Sequence, residues 1–220
     1  QGVMDISMIK DSEVKQKLVD QAIKNVIFEG WTWKAIKSSA SSLNIEKDSL
    51  NKILPNGPRD LVREFVSNLD SQMLARINKL KLGKMPIRMR IYTAVKIRIE
   101  LYEYYREQVR GLLSYLSFPG NITFGTRLTV KTVSTIWYGV GDVSTDFSYY
   151  TKRGLLTAIY SATLLYWLSD NSKDSEDTWS FLERRIEDVM KIPKIKAGLK
   201  DGVILKKILS MPLQIISKKA

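Results

Sequence analysis

The chain of 220 residues contains no cysteine and no histidine. Without thiolate or imidazole, every usual structural zinc site loses its ligands. Cysteine nucleophiles and Ser-His-Asp triads are excluded on the same ground. With no cysteine, the redox compartment cannot be read. Long hydrophobic runs are missing as well. A membrane span needs roughly 18 to 20 consecutive apolar residues, and the best candidate, Gly154 to Leu168, falls short. Acidic residues are scarce relative to basic ones, 23 against 35, which leaves a net charge of +12. That balance favours contact with nucleic acid or an anionic membrane, and its distribution decides which. The opening residues 1–11 show no secretory or transit pattern and are expected to be a tag remnant and a disordered start, with Met4 as the natural first residue. What remains is an ordinary globular composition, 44% hydrophobic, long enough to bury one sizeable core.

The periodicity is helical throughout. Residues 12–29 place Val14, Leu18, Ala22, Val26 and Ile27 on one stripe, closed by Gly30. Thr32 is placed to cap a second helix through Ala40, and Asn44 a third from Ile45 to Ile53. These short helices, within 12–58, resemble the helix-turn-helix module at the front of TetR-type repressors. The third helix opens Ile45-Glu46-Lys47-Asp48, and two acids in its first turn repel phosphate, so DNA binding is not expected; a TetR-type, ligand-responsive DNA-binding transcription regulator is the alternative function. From Arg59 to Lys84 a helix carries Leu61, Phe65, Leu69, Leu74, Ile77 and Leu80, with Gly83 as its stop. A single long helix is predicted from Met85 to Ser117, with Arg88, Arg90, Lys96, Arg98, Arg106 and Arg110 on an exposed, salt-bridged flank. Further helices are predicted over Asn121 to Val140, Ser144 to Asp170 and Ser175 to Met190. Asp174, Glu176 and Asp177 suit the dipole of the last one and are read as capping, not as a metal or catalytic cluster. No catalytic residue, metal or cofactor is expected.

The stretch Gly141 to Arg153 reads as a helix start. Asp142, Ser144 or Thr145 can cap it, and Asp146, Tyr149, Tyr150 and Arg153 fall at i, i+3, i+4 and i+7 on one stripe. An acid, two phenols and a guanidinium together are the residue types of a protein-docking patch; a capped core helix with two covering tyrosines fits the spacing equally. The opposite stripe, Phe147, Thr151, Gly154, Leu155, Ala158, Ala162 and Leu165, is read as a core face. Its small members permit close helix packing or leave room for a ligand. Further along, the first stripe turns apolar too, with Leu156, Tyr160, Leu164 and Trp167, so the helix is expected to start half exposed and end buried on all sides.

Ile136-Trp137, Gly141-Asp142, Ser144-Thr145-Asp146-Phe147, Tyr150-Thr151-Lys152-Arg153, Ile159-Tyr160, Asp170, Asp177-Thr178-Trp179 and Phe181-Leu182 resemble the COQ9 family of ubiquinone-biosynthesis accessory proteins. Arg185-Ile186 and Asp188-Val189-Met190 extend the likeness, and Gly30-Trp31-Thr32, Leu54-Pro55 and Gly57-Pro58 agree more loosely upstream. The resemblance implies an all-α fold, a TetR-like helix-turn-helix module followed by a helical ligand-binding bundle over 59–192. It implies a homodimer and a lipid or polyprenyl quinone intermediate as ligand. The implied lining, drawn from the apolar and aromatic positions of three bundle helices, is Tyr92, Val95, Ile99, Val133, Trp137, Thr163 and Trp167. The implied partner is the demethoxyubiquinone hydroxylase, docked on Asp146, Tyr149, Tyr150 and Arg153; family members carry Trp at the position of Tyr149.

After Pro193 the tail, 193–220, holds seven lysines against the single Asp201, six of the twelve net charges. Ile204, Leu205, Lys206, Lys207, Ile208 and Leu209 make its most basic and apolar segment. A terminal segment of this kind reads as a membrane-surface element; packing on its own domain or on a partner chain is the alternative. The expected setting is therefore the membrane periphery, cytoplasmic in a bacterium or on the matrix side in a mitochondrion.

Overall fold

The computed structural model describes residues 6–142 and 147–191. Among these residues there are nine α-helices and no strand: α1 (Ile6–Glu29), α2 (Trp33–Ser42), α3 (Lys47–Ile53), α4 (Pro58–Leu80), α5 (Ile87–Glu100), α6 (Arg106–Ser117), α7 (Ile122–Gly139), α8 (Phe147–Ser169) and α9 (Glu176–Lys191). The fold is all-α, as the periodicity requires. The tail segment 204–209, Asp146, Ser144 and Thr145 lie outside the described residues.

The first three helices follow their local signals with one exchange of roles. Helix α1 starts at Ile6, earlier than the predicted residue 12. Thr32 caps α2 by accepting from the Ala35 amide. Asn44, by contrast, does not cap α3. It sits at φ +53° just beyond α2, and the amides of Asn44 and Ile45 bond back to Ser41 and Ala40 at 3.2 and 2.9 Å. That is a left-handed helix stop, which asparagine tolerates because its short polar side chain lowers the strain. Helix α3 then starts from Glu46 without a side-chain cap. Gly57, at φ +53°, opens α4 directly against the Trp33 indole, where a Cβ would lie 2.3 Å from ring atoms.

The core is continuous from α1 to α9. The Trp31 ring packs tilted against Phe65 of α4, with centroids 5.4 Å apart, and its indole N–H donates to the Gln108 carbonyl of α6 at 3.0 Å. The front helices are thereby fastened to the bundle. Helix α4 runs down the middle with Leu61, Val62, Phe65, Leu69, Met73 and Ile77 buried, but Leu80 emerges half exposed at its end. The stop there is Lys81 in the left-handed region, followed by a 3₁₀ turn Leu82–Lys84, so Gly83 is not the terminator.

The predicted helix from Met85 to Ser117 is two helices. Between α5 and α6 the chain turns through Leu101, Tyr102 and a 3₁₀ segment Glu103–Tyr105. No glycine or proline marks the break, and apolar residues continue at helical spacing across it. Packing causes it. Tyr102 is buried between Phe65 and Trp167, with ring centroids 6.1 and 6.4 Å away, and it covers the Arg98 guanidinium at 4.4 Å.

Arg98 is also a correction. It belongs to no exposed flank but is fully buried. Its Nε donates to Asp70 of α4 at 2.7 Å and an Nη to the Tyr102 hydroxyl at 3.0 Å. Asp70 in turn accepts from Thr132 of α7 at 3.0 and 3.1 Å. Three helices are cross-linked by one buried charge pair.

Candidate functional site

Helix α7 ends in a left-handed stop. Gly141, at φ +86°, donates to the Tyr138 carbonyl and the Asp142 amide to the Trp137 carbonyl, both at 3.0 Å. A glycine suits this position because a Cβ would strain the backbone. The Gly141-Asp142 pair therefore closes α7. Asp142 reaches across to the second turn of α8, where Lys152 Nζ lies 2.7 Å and Arg153 Nη1 3.7 Å from its carboxylate.

The expected stripe separates into an exposed and an inner part. Tyr150 is 72% exposed. Tyr149 is half-buried and meets Tyr150 edge-on at 5.2 Å. Arg153 is the inner member, its side chain only 12% exposed. The guanidinium lies 3.3 Å from the Tyr149 ring centroid. It also donates to Ser134 Oγ of α7 and to the Tyr149 carbonyl, each at 3.3 Å. Arg153 is thus a brace that fixes Tyr149, and Tyr149 backs the projecting Tyr150. The docking stripe places Arg153 as an exposed contact, and this is corrected: Asp142, just beyond the end of α7, and Ser134 on α7 draw the guanidinium inward. Lys152 stands over the Trp137 ring at 5.5 Å.

Helix α8 buries the expected apolar continuation of its first stripe, but the stripe predicted as its core face is turned outward. Leu156, Ile159, Tyr160, Thr163, Leu164, Trp167 and Leu168 are buried. Gly154, Ala158 and Leu165 are exposed, with Thr151, Leu155 and Ala162 half-buried. Both stripes are apolar, and burial removes more area from water when the large side chains face in.

Two depressions among the described residues bear on the candidate site. The larger, about 390 Å³, lies where the end of α4 meets the end of α7, lined by Ile77, Lys81, Leu82, Arg90, Gly139 and Val140 among others. Gly139 has no side chain here because a Cβ would approach Leu74 to 2.9 Å. The smaller, about 40 Å³, is apolar apart from Tyr102, Tyr160, Thr129 and Thr132, and lies between α4, α6, α7 and α8. Burial, opposed by the nearby Arg98 charge, pushes the Tyr160 phenol well above its ordinary value, so it stays protonated.

None of the seven lipid-lining expectations lines either cavity. Val95, Ile99, Val133, Thr163, Trp167 and Trp137 are buried, and Tyr92 is half-buried. Two of them keep an unspent polar group: the indole N–H of Trp137 and of Trp167 has no acceptor among the described residues, nor has one Nη of Arg98. The cavity residues were missed because three of the larger cavity's walls, Lys81, Gly139 and Gly141, look like helix ends in the sequence.

At the start of α9 the capping groups are Asp170 and Ser172. The Asp170 carboxylate accepts from the Thr178 amide at 2.9 Å and the Ser172 amide at 2.8 Å, and Ser172 Oγ accepts from Asp177. Burial alone would raise the Asp170 carboxyl, but the hydrogen bonds from Thr178 and Ser172 outweigh it and hold it below its ordinary value. Glu176 and Asp177 stand in the first turn of α9, where their charge favours the dipole. No group of three or more acidic residues among those described could hold a metal.

The COQ9 family matches residues 122–193, which span α7, the Asp142–Arg153 brace and α9. Ubiquinone biosynthesis protein COQ9, mitochondrial, of Xenopus tropicalis is 35% identical over 187 residues, 82% of this chain and 59% of that protein. Its counterpart from Homo sapiens is 32% identical over the same length, 82% of this chain and 58% of that protein. The chain belongs to the COQ9 family. It spans about three-fifths of the length of these curated COQ9 relatives. Among solved structures, a TetR transcriptional regulator from Nitrosomonas europaea superposes with a TM-score of 0.64 at 19% identity, over 81% of this chain and 98% of that one. The COQ9-family chain therefore has a TetR-like fold, with the three-helix front and the helical bundle in the expected order.

Proposed function

We propose that this COQ9-family chain is a non-catalytic accessory protein of ubiquinone biosynthesis. It binds a lipid-like quinone intermediate and presents it to the demethoxyubiquinone hydroxylase at a membrane surface. The observation that carries the reading is the braced aromatic edge inside the family segment. Tyr150 projects into solvent from a base of Tyr149 and Arg153, and a pre-ordered aromatic anchor is the kind of group that dominates protein interfaces. The curated relatives carry ubiquinone biosynthesis in their names, which points the same way.

A cavity of about 390 Å³ beside the end of α7 is within the range of small-molecule sites. It supports a ligand at that end of the bundle. The exposed small-residue face of α8, with Gly154 and Ala158, supports pairing of two copies through the last bundle helices. The relatives are named mitochondrial, which favours the matrix side of a membrane where the source is eukaryotic. DNA binding has little support: α3 opens with Glu46 at its cap and Asp48 in its first turn, which repel phosphate.

Mass spectrometry of lipid extracted from the purified chain tests the ligand. An isoprenoid quinone or other prenyl lipid is the expected result, and a lipid-free native chain overturns it. Binding of duplex DNA in a gel-shift on the same preparation would favour a regulator.

A further inference from the structure

Between Asp70 and Glu100 the chain carries eight Lys or Arg and no Asp or Glu. The fold gathers the middle of this stretch into one protruding corner. Residues 78–81 and 83–89 are all exposed where α4 turns into α5. The cations there are Lys79, Lys81, Lys84 and Arg88, and none of them pairs with a carboxylate among the described residues. Between them stand four large apolar side chains turned to solvent: Leu80 at 52%, Met85 at 43%, Ile87 at 40% and Met89 at 41%. The turn is held in shape from within. Arg90 donates to the carbonyls of Met85, Gly83 and Val140 at 2.7, 2.6 and 3.2 Å. The corner is therefore a built surface, tied to the end of α7 and bordering the larger cavity.

We infer that this α4–α5 corner is a membrane-docking surface for anionic lipid, separate from the basic tail. Charge and apolarity together select the occupant. Nucleic acid would take up the cations and leave Leu80, Met85, Ile87 and Met89 facing phosphate and water. A bilayer with anionic headgroups satisfies both, because the lysines meet the headgroups while the four apolar side chains enter the headgroup–acyl boundary. No described helix is long and apolar enough to cross a membrane, so the contact is peripheral. The cavity opens at the same corner, which places its mouth where a membrane-dissolved molecule would enter. The inference stands on the corner's own chemistry and holds whether or not the ligand is a quinone.

The test is co-sedimentation of the full chain with phosphatidylcholine vesicles, with and without phosphatidylglycerol. Combined Lys79→Gln, Lys84→Gln and Arg88→Gln should lower affinity for the phosphatidylglycerol vesicles by about tenfold or more, since each cation near an anionic surface contributes measurably. Combined Met85→Ser and Met89→Ser should lower it further at raised salt, where the charge contribution is screened. Circular dichroism and melting should match the parent chain, because these side chains are exposed. Lys206→Gln with Lys207→Gln forms the comparison arm. If the corner variants bind as the parent does while the tail variant loses binding, the inference is overturned. Binding of duplex DNA by the parent chain, with no vesicle binding, also overturns it. Lipid extraction from the corner variants separates this from the proposed function: ligand retained with vesicle binding lost refutes neither, and ligand lost in every chain refutes only the latter.

Discussion

Arg153 and Tyr150 are three residues apart on α8, yet the structure assigns them different work, and substitution should separate the two roles. In Arg153→Ala the chain loses a guanidinium 3.3 Å from the Tyr149 ring, an ion pair at 3.7 Å to Asp142, and hydrogen bonds to Ser134 and to the Tyr149 carbonyl. A cation–π contact in a partly desolvated place contributes about 1 kcal/mol. The two hydrogen bonds, made at a long 3.3 Å, add roughly 1 kcal/mol together. The Asp142 carboxylate keeps Lys152 at 2.7 Å, so the lost ion pair adds little. The total is about 2 kcal/mol, and in a chain of this size that lowers the melting temperature by about 4 to 8 °C. Arg153→Lys should recover part of it, since an ammonium keeps the charge but not the planar stacking. Tyr150→Ala removes a ring that touches little besides Tyr149, so melting should shift by less than about 2 °C. In binding the order reverses. Tyr150→Ala should cost about 2 kcal/mol or more in affinity for the proposed hydroxylase partner, measured by calorimetry or surface binding with the purified enzyme. Arg153→Ala should weaken the complex only as far as Tyr149 is released. A Tyr150→Ala chain that binds the hydroxylase as the parent does, or an Arg153→Ala chain that melts unchanged, would refute the division of roles.

The buried pair is a second test. Asp70→Ala strands the Arg98 charge and the Thr132 hydroxyl in the core, and removing one partner of a buried pair costs about 3 to 5 kcal/mol; the combined Asp70→Leu and Arg98→Met chain should unfold at higher urea than Asp70→Ala alone. The third test is acid stability. Because the folded Asp170 carboxyl lies below its ordinary value of 3.8, the unfolded chain binds the extra proton first as pH falls. The stabilisation is then complete above the unfolded value and is lost as pH drops through the folded one. In urea titrations across acid pH, the advantage of the parent over Asp170→Asn should shrink below about pH 4, and an advantage that persists unchanged at lower pH would contradict the capping role.

Local chemistry was legible wherever one residue type decides the outcome. Thr32 caps α2, and the glycines at 30 and 141 take the left-handed positions that end α1 and α7. The regular spacing of Leu61, Phe65, Leu69 and Ile77 delivered the buried side of α4. What sequence could not show was which of two adequate choices packing would select. On α8 both stripes are apolar, so periodicity does not rank them, and only packing between helices turns Tyr160, Leu164 and Trp167 inward, Trp167 against Tyr102 and Arg106. Arg98 looks like its neighbours Arg88 and Arg90 along the chain, and its burial depends on Asp70, which lies 28 positions earlier. The break between α5 and α6 carries no turn residue because the burial of Tyr102, not a local propensity, produces it. The docking stripe was half legible for the same reason: helical spacing put Tyr149, Tyr150 and Arg153 together, but the carboxylate that pulls Arg153 inward belongs to the preceding turn.

The end of α7 is where these features meet. Within five residues it presents exposed Tyr138, the side-chain-free wall at Gly139, the Val140 carbonyl that accepts from Arg90, and Asp142, which pairs with Lys152 and Arg153. Arg90 ties it to the basic corner, and Asp142 ties it to the Tyr149–Tyr150 edge. Neither tie is an exposed ion pair. Arg90 bonds to carbonyls, which carry no countercharge to exchange with salt, and the Asp142 side chain is only 7% exposed. Both links should therefore persist at ionic strengths that screen the lysines of the corner. A chain organised in this way can release a membrane as salt or lipid charge changes without altering the edge it offers to a protein partner. The proposed accessory role, in which the chain would collect a lipid from the bilayer and hand it to an enzyme, would use that independence. One surface must let go repeatedly, while the other must keep its shape.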